Sequence, residues 1–186
     1  TTLAPRNEVP VEQTWDLSSI FPTPADWEAA CQQIIASLPS LSAYQGKLSS
    51  SPQTLLEYIN LLQEAATLMG KAMVYASNAY AVDSLDQAAA ARAGQVRGLM
   101  ARFAAATAFL DPELMQIGFP RLRQWLQDEA GLAFFAFYVD KLELRQAHVR
   151  SGEVEEVLAL ANDPFAAASS IYSALNNADL TFQPAV

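Results

Sequence analysis

One histidine and one cysteine are all that this 186-residue chain offers to metal or thiol chemistry. A zinc site on a helix needs two imidazoles one turn apart with a carboxylate base between them, so the lone His148 excludes that motif. The lone Cys31 excludes an internal disulfide and fits a reducing compartment. Positive charge is scarce too: 11 Lys and Arg stand against 20 Asp and Glu, a formal net charge of −9. Such a surface repels a phosphate backbone, and nucleic acid is not an expected partner. There is no run of about 18 apolar residues, so no membrane span is expected. The stretch TTLAPRNEVPVEQ lacks the basic-then-apolar pattern of a signal peptide, which makes the cytoplasm the default location. Neither G-x-x-x-x-G-K-[ST], G-x-G-x-x-G nor G-x-S-x-G occurs, so phosphate cradles and serine elbows are unsupported.

What is present is globular: 52% of residues are apolar and 17% charged. A chain of this size can bury close to ~70% of its unfolded surface without a metal or a crosslink. It fits one domain, or one lobe of a larger protein.

The helix starts are legible. Thr23-Pro24, Ser51-Pro52, Asp111-Pro112 and Asp163-Pro164 each set an N-cap oxygen before a proline whose missing N–H costs nothing there. Ser84 and Gln87 frame a capping box. Strand patterning is nearly absent, so the expected fold is all-α. A first helix is expected over about 25–38, with Trp27, Ile34, Ile35 and Leu38 facing inward. Two long helices, 52–82 and about 85–110, should form an antiparallel hairpin and give an elongated lobe. The first of these carries two apolar stripes. One runs Leu55, Ile59, Leu62, Ala66, Met69, Met73, Ala76, Tyr80, and the other Tyr58, Leu61, Ala65, Leu68, Ala72, Tyr75, Ala79, Val82. Packing on two sides follows, with Glu57, Asn60, Glu64, Thr67, Lys71 and Asn78 left on the polar side. In the second, the small residues of 88–106 suit close helix approach. Shorter helices are expected at about 112–117, 120–129, 132–144, 152–161 and 164–176. At the end, Leu180 and Phe182 alternate with Thr181 and Gln183, the period of a strand that opens a β-hairpin.

Chemistry finds little purchase. His148, before a cap at Ser151, reads as a loop anchor. Cys31 sits beside Glu28, Gln32 and Gln33, without the electropositive surroundings that activate a thiol, and reads as core filler. Glu153, Glu155 and Glu156 lie in the first turn after Ser151, where negative charge complements the helix dipole. Met69, Met73 and Met100 read as packing. No catalytic, cofactor-binding or metal-binding residue is assigned.

Five stretches nevertheless resemble, in the same order, the N-terminus of the oligoendopeptidase F family of zinc metallopeptidases. They are EVPVEQTWDLSSIFPTPADWEAA (8–30), YQGKL (44–48), YASNAYAVDSLDQ (75–87), FLDPELMQI (109–117) and HVRSGEVEEVLALAN (148–162) followed by IYSALNNADLTFQP (171–184). Trp15-Asp16-Leu17, Phe21-Pro22 and Trp27 carry the first. The resemblance implies that residues 1–186 are a non-catalytic N-terminal lobe, a fragment that forms one wall of a channel for short peptides. It implies that zinc and the catalytic residues come later in a longer polypeptide. The expected partners are that catalytic region and short peptides, and an isolated fragment is expected to self-associate. The alternative from the residues alone is a free-standing acidic helical interaction module, and a weaker one is a hydrolase using Cys31 or His148.

Overall fold

The computed structural model describes residues 8–83 and 85–146, together with residues 165, 167–169, 171, 172, 175, 176 and 180. The fold is all-α, and no strand occurs among the described residues. Six helices follow in order: α1 Pro24–Ser42, α2 Pro52–Val82, α3 Gln87–Thr107, α4 Leu110–Ile117, α5 Phe119–Asp128 and α6 Ala136–Gln146. Short 3₁₀ segments lie at Val11–Gln13, Leu17–Ser19 and Ala130–Phe135.

Two caps form as the sequence dictates. Thr23 accepts from the Asp26 N–H while the Asp26 carboxylate accepts from the Thr23 N–H, a complete capping box. Ser51 accepts from the Thr54 N–H at 3.0 Å. Other expectations are corrected. α1 does not stop at Leu38 but runs through Pro39 to Ser42, because Leu38 and Leu41 on its last turns are both buried in the core. That burial, at ~1.5–3 kcal/mol per leucine, offsets a penalty of ~3 kcal/mol for an interior proline. α3 is capped by Asp86, which accepts from the Ala88 and Ala89 N–H groups; Ser84 lies outside the described residues. Asp111 does not cap a helix: α4 starts one residue earlier, at Leu110, and the Asp111 carboxylate turns to α6. The expected helix 132–144 is a 3₁₀ segment, capped at its start by Glu129 accepting from the Gly131 N–H, followed by α6.

Within the expected helix 164–176, residues 165, 167–169, 171 and 172 are helical. The helix at 152–161, the caps at Ser151 and Asp163, and the strand of 180–183 apart from Leu180 lie outside the described residues. Leu180 itself donates its N–H to the Leu175 carbonyl at 2.8 Å, a helical-type turn rather than a ladder bond.

α1, α2 and α3 pack on one another as a three-helix unit. α2 and α3 are antiparallel, since Ile59 and Leu62 near the start of α2 share a groove with Phe103 and Thr107 at the end of α3. At 31 residues, α2 is ~46 Å long. α4 to α6 fold against the base of this unit. One core runs from Phe21 to Leu142, and it takes in residues of both stripes of α2 as far as Ala76, though not Ala66 or Met73. Of the expected methionine cluster, Met69 is buried and Met100 packs on the core, while Met73 is exposed.

Candidate functional site

The polar side of α2 builds the more distinctive surface feature. Asn60, Glu64, Thr67 and Lys71 recur at intervals of four, three and four residues, which stacks them on one helical face. Gln63 and Leu68 stand next to that line, and Gln33 reaches the same place from α1. Together they bound a trough of about 670 Å³. Leu68 is half-buried and gives the trough an apolar floor, while the six polar side chains are exposed. None of those six hydrogen-bonds or ion-pairs within the described residues. Other polar groups of this chain do have partners. Glu57 accepts from the Tyr44 hydroxyl, Glu129 from Gln53, and Asp26 and Asp86 cap helices. Chemically the trough offers three carboxamides and a hydroxyl, each able to donate and accept, with one negative and one positive group beside them.

On another side of α2 a groove of about 510 Å³ lies between the hairpin and α6. It is walled by Leu62, Ala66, Phe103, Phe134, Phe135 and Tyr138, with Asp111 at its edge. Burial, and then the hydrogen bond to the negative Asp111, push the Tyr138 phenol up to about 12. Asp111 also pairs with Arg145 at 3.5 Å, so its charge is already answered.

Cys31 is fully buried on α1, and burial followed by the nearby charge of Glu28 raises its thiol pKa, which keeps it protonated and unreactive. Among the described residues no three His, Cys, Asp or Glu side chains converge as metal ligands would. His148, Glu153, Glu155 and Glu156 lie outside the described residues. Also among the described residues, no helix is long and apolar enough to cross a membrane.

The quoted sequence pieces meet in space. Asp16 accepts from Ser18 and fixes the turn that lets Leu17 pack on the core, while Trp15 stays exposed. The Trp27 indole donates to the Ala72 carbonyl at 2.9 Å and stacks on Tyr75, whose ring also meets the edge of Phe21 at 5.6 Å. The Gly46 and Leu48 N–H groups of YQGKL both donate to the Glu113 carboxylate of FLDPELMQI. Gly46 has φ 78°, a left-handed backbone that glycine adopts without strain.

Comparison with known proteins follows the same line. A family model described as oligopeptidase F matches residues 113–182. Oligopeptidase PepF of Bacillus subtilis (strain 168) is 32% identical over 183 residues, 97% of this chain and 27% of that protein. The chain matches the N-terminal part of oligoendopeptidase F. The plasmid-borne oligoendopeptidase F of Lactococcus lactis subsp. cremoris is 28% identical over 94% of this chain and 29% of its own length. The crystal structure of oligoendopeptidase-F from Enterococcus faecium superposes with a TM-score of 0.75 at 24% identity, covering 86% of this chain and 30% of that one, which shows a shared fold. The chain thus spans less than a third of the oligoendopeptidase F relatives it matches.

Sequence reading placed Asn60, Glu64, Thr67 and Lys71 on one polar face but missed Gln33 and Gln63. Gln33 joins the trough only through the packing of α1 on α2, which no local spacing encodes.

Proposed function

We propose that residues 1–186 form the non-catalytic N-terminal lobe of a zinc-dependent oligoendopeptidase that hydrolyses short peptides. In this reading the α1–α3 unit is part of one wall of the substrate channel, and the lobe's permanent partner is the catalytic region of the same polypeptide. Zinc belongs to that region and none to this lobe, and the enzyme works in the cytoplasm. The observation that carries the reading is the near-complete alignment of this chain with only 27% of the Bacillus peptidase. A stiff, well-capped helical unit suits a wall, which has to hold its shape and needs no reactive groups.

Denaturing mass spectrometry of the polypeptide as its source organism makes it tests this directly. A mass several times 20.2 kDa is expected. A mass near 20.2 kDa would overturn it in favour of a free-standing acidic interaction module, which the continuous core from Phe21 to Leu142 favours. The isolated chain is expected to neither cleave peptides nor bind stoichiometric zinc. It is also expected to self-associate through exposed apolar residues such as Leu85, Phe137 and Leu144. Chelator-sensitive peptide cleavage by this chain alone would sink the non-catalytic assignment.

A further inference from the structure

We propose that the chain's own segment from Phe165 to Leu175 seats its apolar face in the groove between the α2–α3 hairpin and α6. Both surfaces belong to this chain, so the pairing holds whether or not the lobe is part of a larger enzyme.

The groove of about 510 Å³ is one of two uncovered apolar surfaces. Its walls are Leu62 and Ala66 of α2, Phe103 of α3, Phe134 and Phe135 of the 3₁₀ segment, and Tyr138 of α6. Asp111 at its edge is already paired with Arg145 at 3.5 Å, and the Thr107 hydroxyl already donates to the Phe103 carbonyl at 3.0 Å. An occupant without charge fits it best. The second surface lies on the segment, where residues 165, 167–169, 171 and 172 are helical. Phe165, Ala168, Ile171, Tyr172 and Leu175 recur at spacings of three and four, which aligns them along one helical side with no charge among them. Phe165, Ile171 and Tyr172 are 61–77% exposed, so that side is as uncovered as the groove.

Two such surfaces gain by covering each other, and the aromatic rings gain most. Reach is ample: the chain between Gln146, at the end of α6, and Phe165 can span up to about 60 Å. A tether of that order holds the segment at an effective concentration on the order of millimolar, which outcompetes free partners of similar affinity at lower concentration. The oligopeptidase F family model runs unbroken over residues 113–182, so α5, α6 and this segment are inherited together.

The test uses the ¹⁵N-labelled chain with a nitroxide spin label on Ser169→Cys, an exposed helical position beside the apolar stripe. Cys31 is fully buried and takes no label. In dilute protein the backbone amides of Ala66, Thr107 and Phe134 should lose at least half their intensity, and that of Val82 at the free end of the hairpin should keep nearly all of it. Ala66→Arg puts a charge at an exposed position of the groove wall and should restore those signals at least twofold. Phe165→Ser with Tyr172→Ser should restore them equally, and unchanged amide signals from α1 verify that both variants fold. No broadening at the groove, or broadening that neither variant relieves, would overturn the proposal. So would equal broadening when the label sits on unenriched chains mixed with ¹⁵N chains, which would assign the groove to a second copy.

Discussion

The base and the free end of the α2–α3 hairpin share one sequence pattern and reach opposite states. From Leu55 to Ala76 both apolar stripes of α2 supply core residues. Beyond that point Tyr80 and Val82 stand 37% and 40% exposed although they continue the two stripes, and Leu85 in the connection is 71% exposed. The difference lies in α1. It has 19 residues against 31 in α2, and its Trp27, near the N-terminus, already reaches only the level of Ala72. The last six residues of α2, 77–82 and ~9 Å long, therefore extend past the level of Trp27. A heptad pattern says which side of a helix is apolar; the length of the partner decides whether that side is covered.

The sharpest way to break this comparison is at the aromatic anchor of the base. Trp27→Ala removes a side chain that is 1% exposed, together with its contact to Tyr75. Urea unfolding should show a loss of ~3–5 kcal/mol. A loss below ~1 kcal/mol would mean that the base is no better packed than the free end. A smaller effect is expected where the α1–α2 connection is tied to α4. Glu113→Ala leaves the Gly46 and Leu48 N–H groups without their acceptor, and ~1–3 kcal/mol should be lost. Glu113→Gln keeps one acceptor oxygen and should retain part of that stability.

The parts of this architecture that were legible are those fixed locally. Thr23 and Ser51 cap the helices that follow them because their acceptors need only the next turn. Asp111 has the same local signature before Pro112, yet it serves Tyr138 and Arg145, 27 and 34 positions later in the chain. Pro39 reads as a stop, and only the burial of Leu41 explains why it is not one. Half of the trough followed from the polar face of α2. Its other wall, Gln33, depends on how α1 is rotated against α2. The small residues of α3 were read as close-packing, and Ala89 and Ala93 do face inward. Gly94 and Gly98 do not: a Cβ on Gly98 would meet open space, and one on Gly94 only the Arg97 side chain.

The base should also respond to alkali. The Tyr138 phenol is raised from 10.0 to about 12 by burial and then by Asp111, and burial raises fully buried Tyr58 as well. A raised pKa means that the folded state favours the neutral phenol. The corresponding stability is complete below pH 10.0 and is lost as pH climbs through about 12. The urea midpoint is expected to fall over that interval, and less steeply in Tyr138→Phe. An identical decline in Tyr138→Phe would show that Tyr138 contributes nothing to it.

The smallest effect is expected at the free end. Leu85 is 71% exposed, in the connection between α2 and α3, where its N–H donates to the Asp83 carboxylate at 3.0 Å. Leu85→Ser keeps that backbone bond and removes only a solvated side chain, so monomer stability should change by less than ~0.5 kcal/mol. Self-association is the sensitive readout. If the apolar end is the surface through which isolated chains meet, Leu85→Ser with Val82→Ser should shift sedimentation toward monomer while the urea midpoint of the dilute protein holds. A stability loss rivalling Trp27→Ala would show that the free end is packed in solution and that the contrast with the base is false.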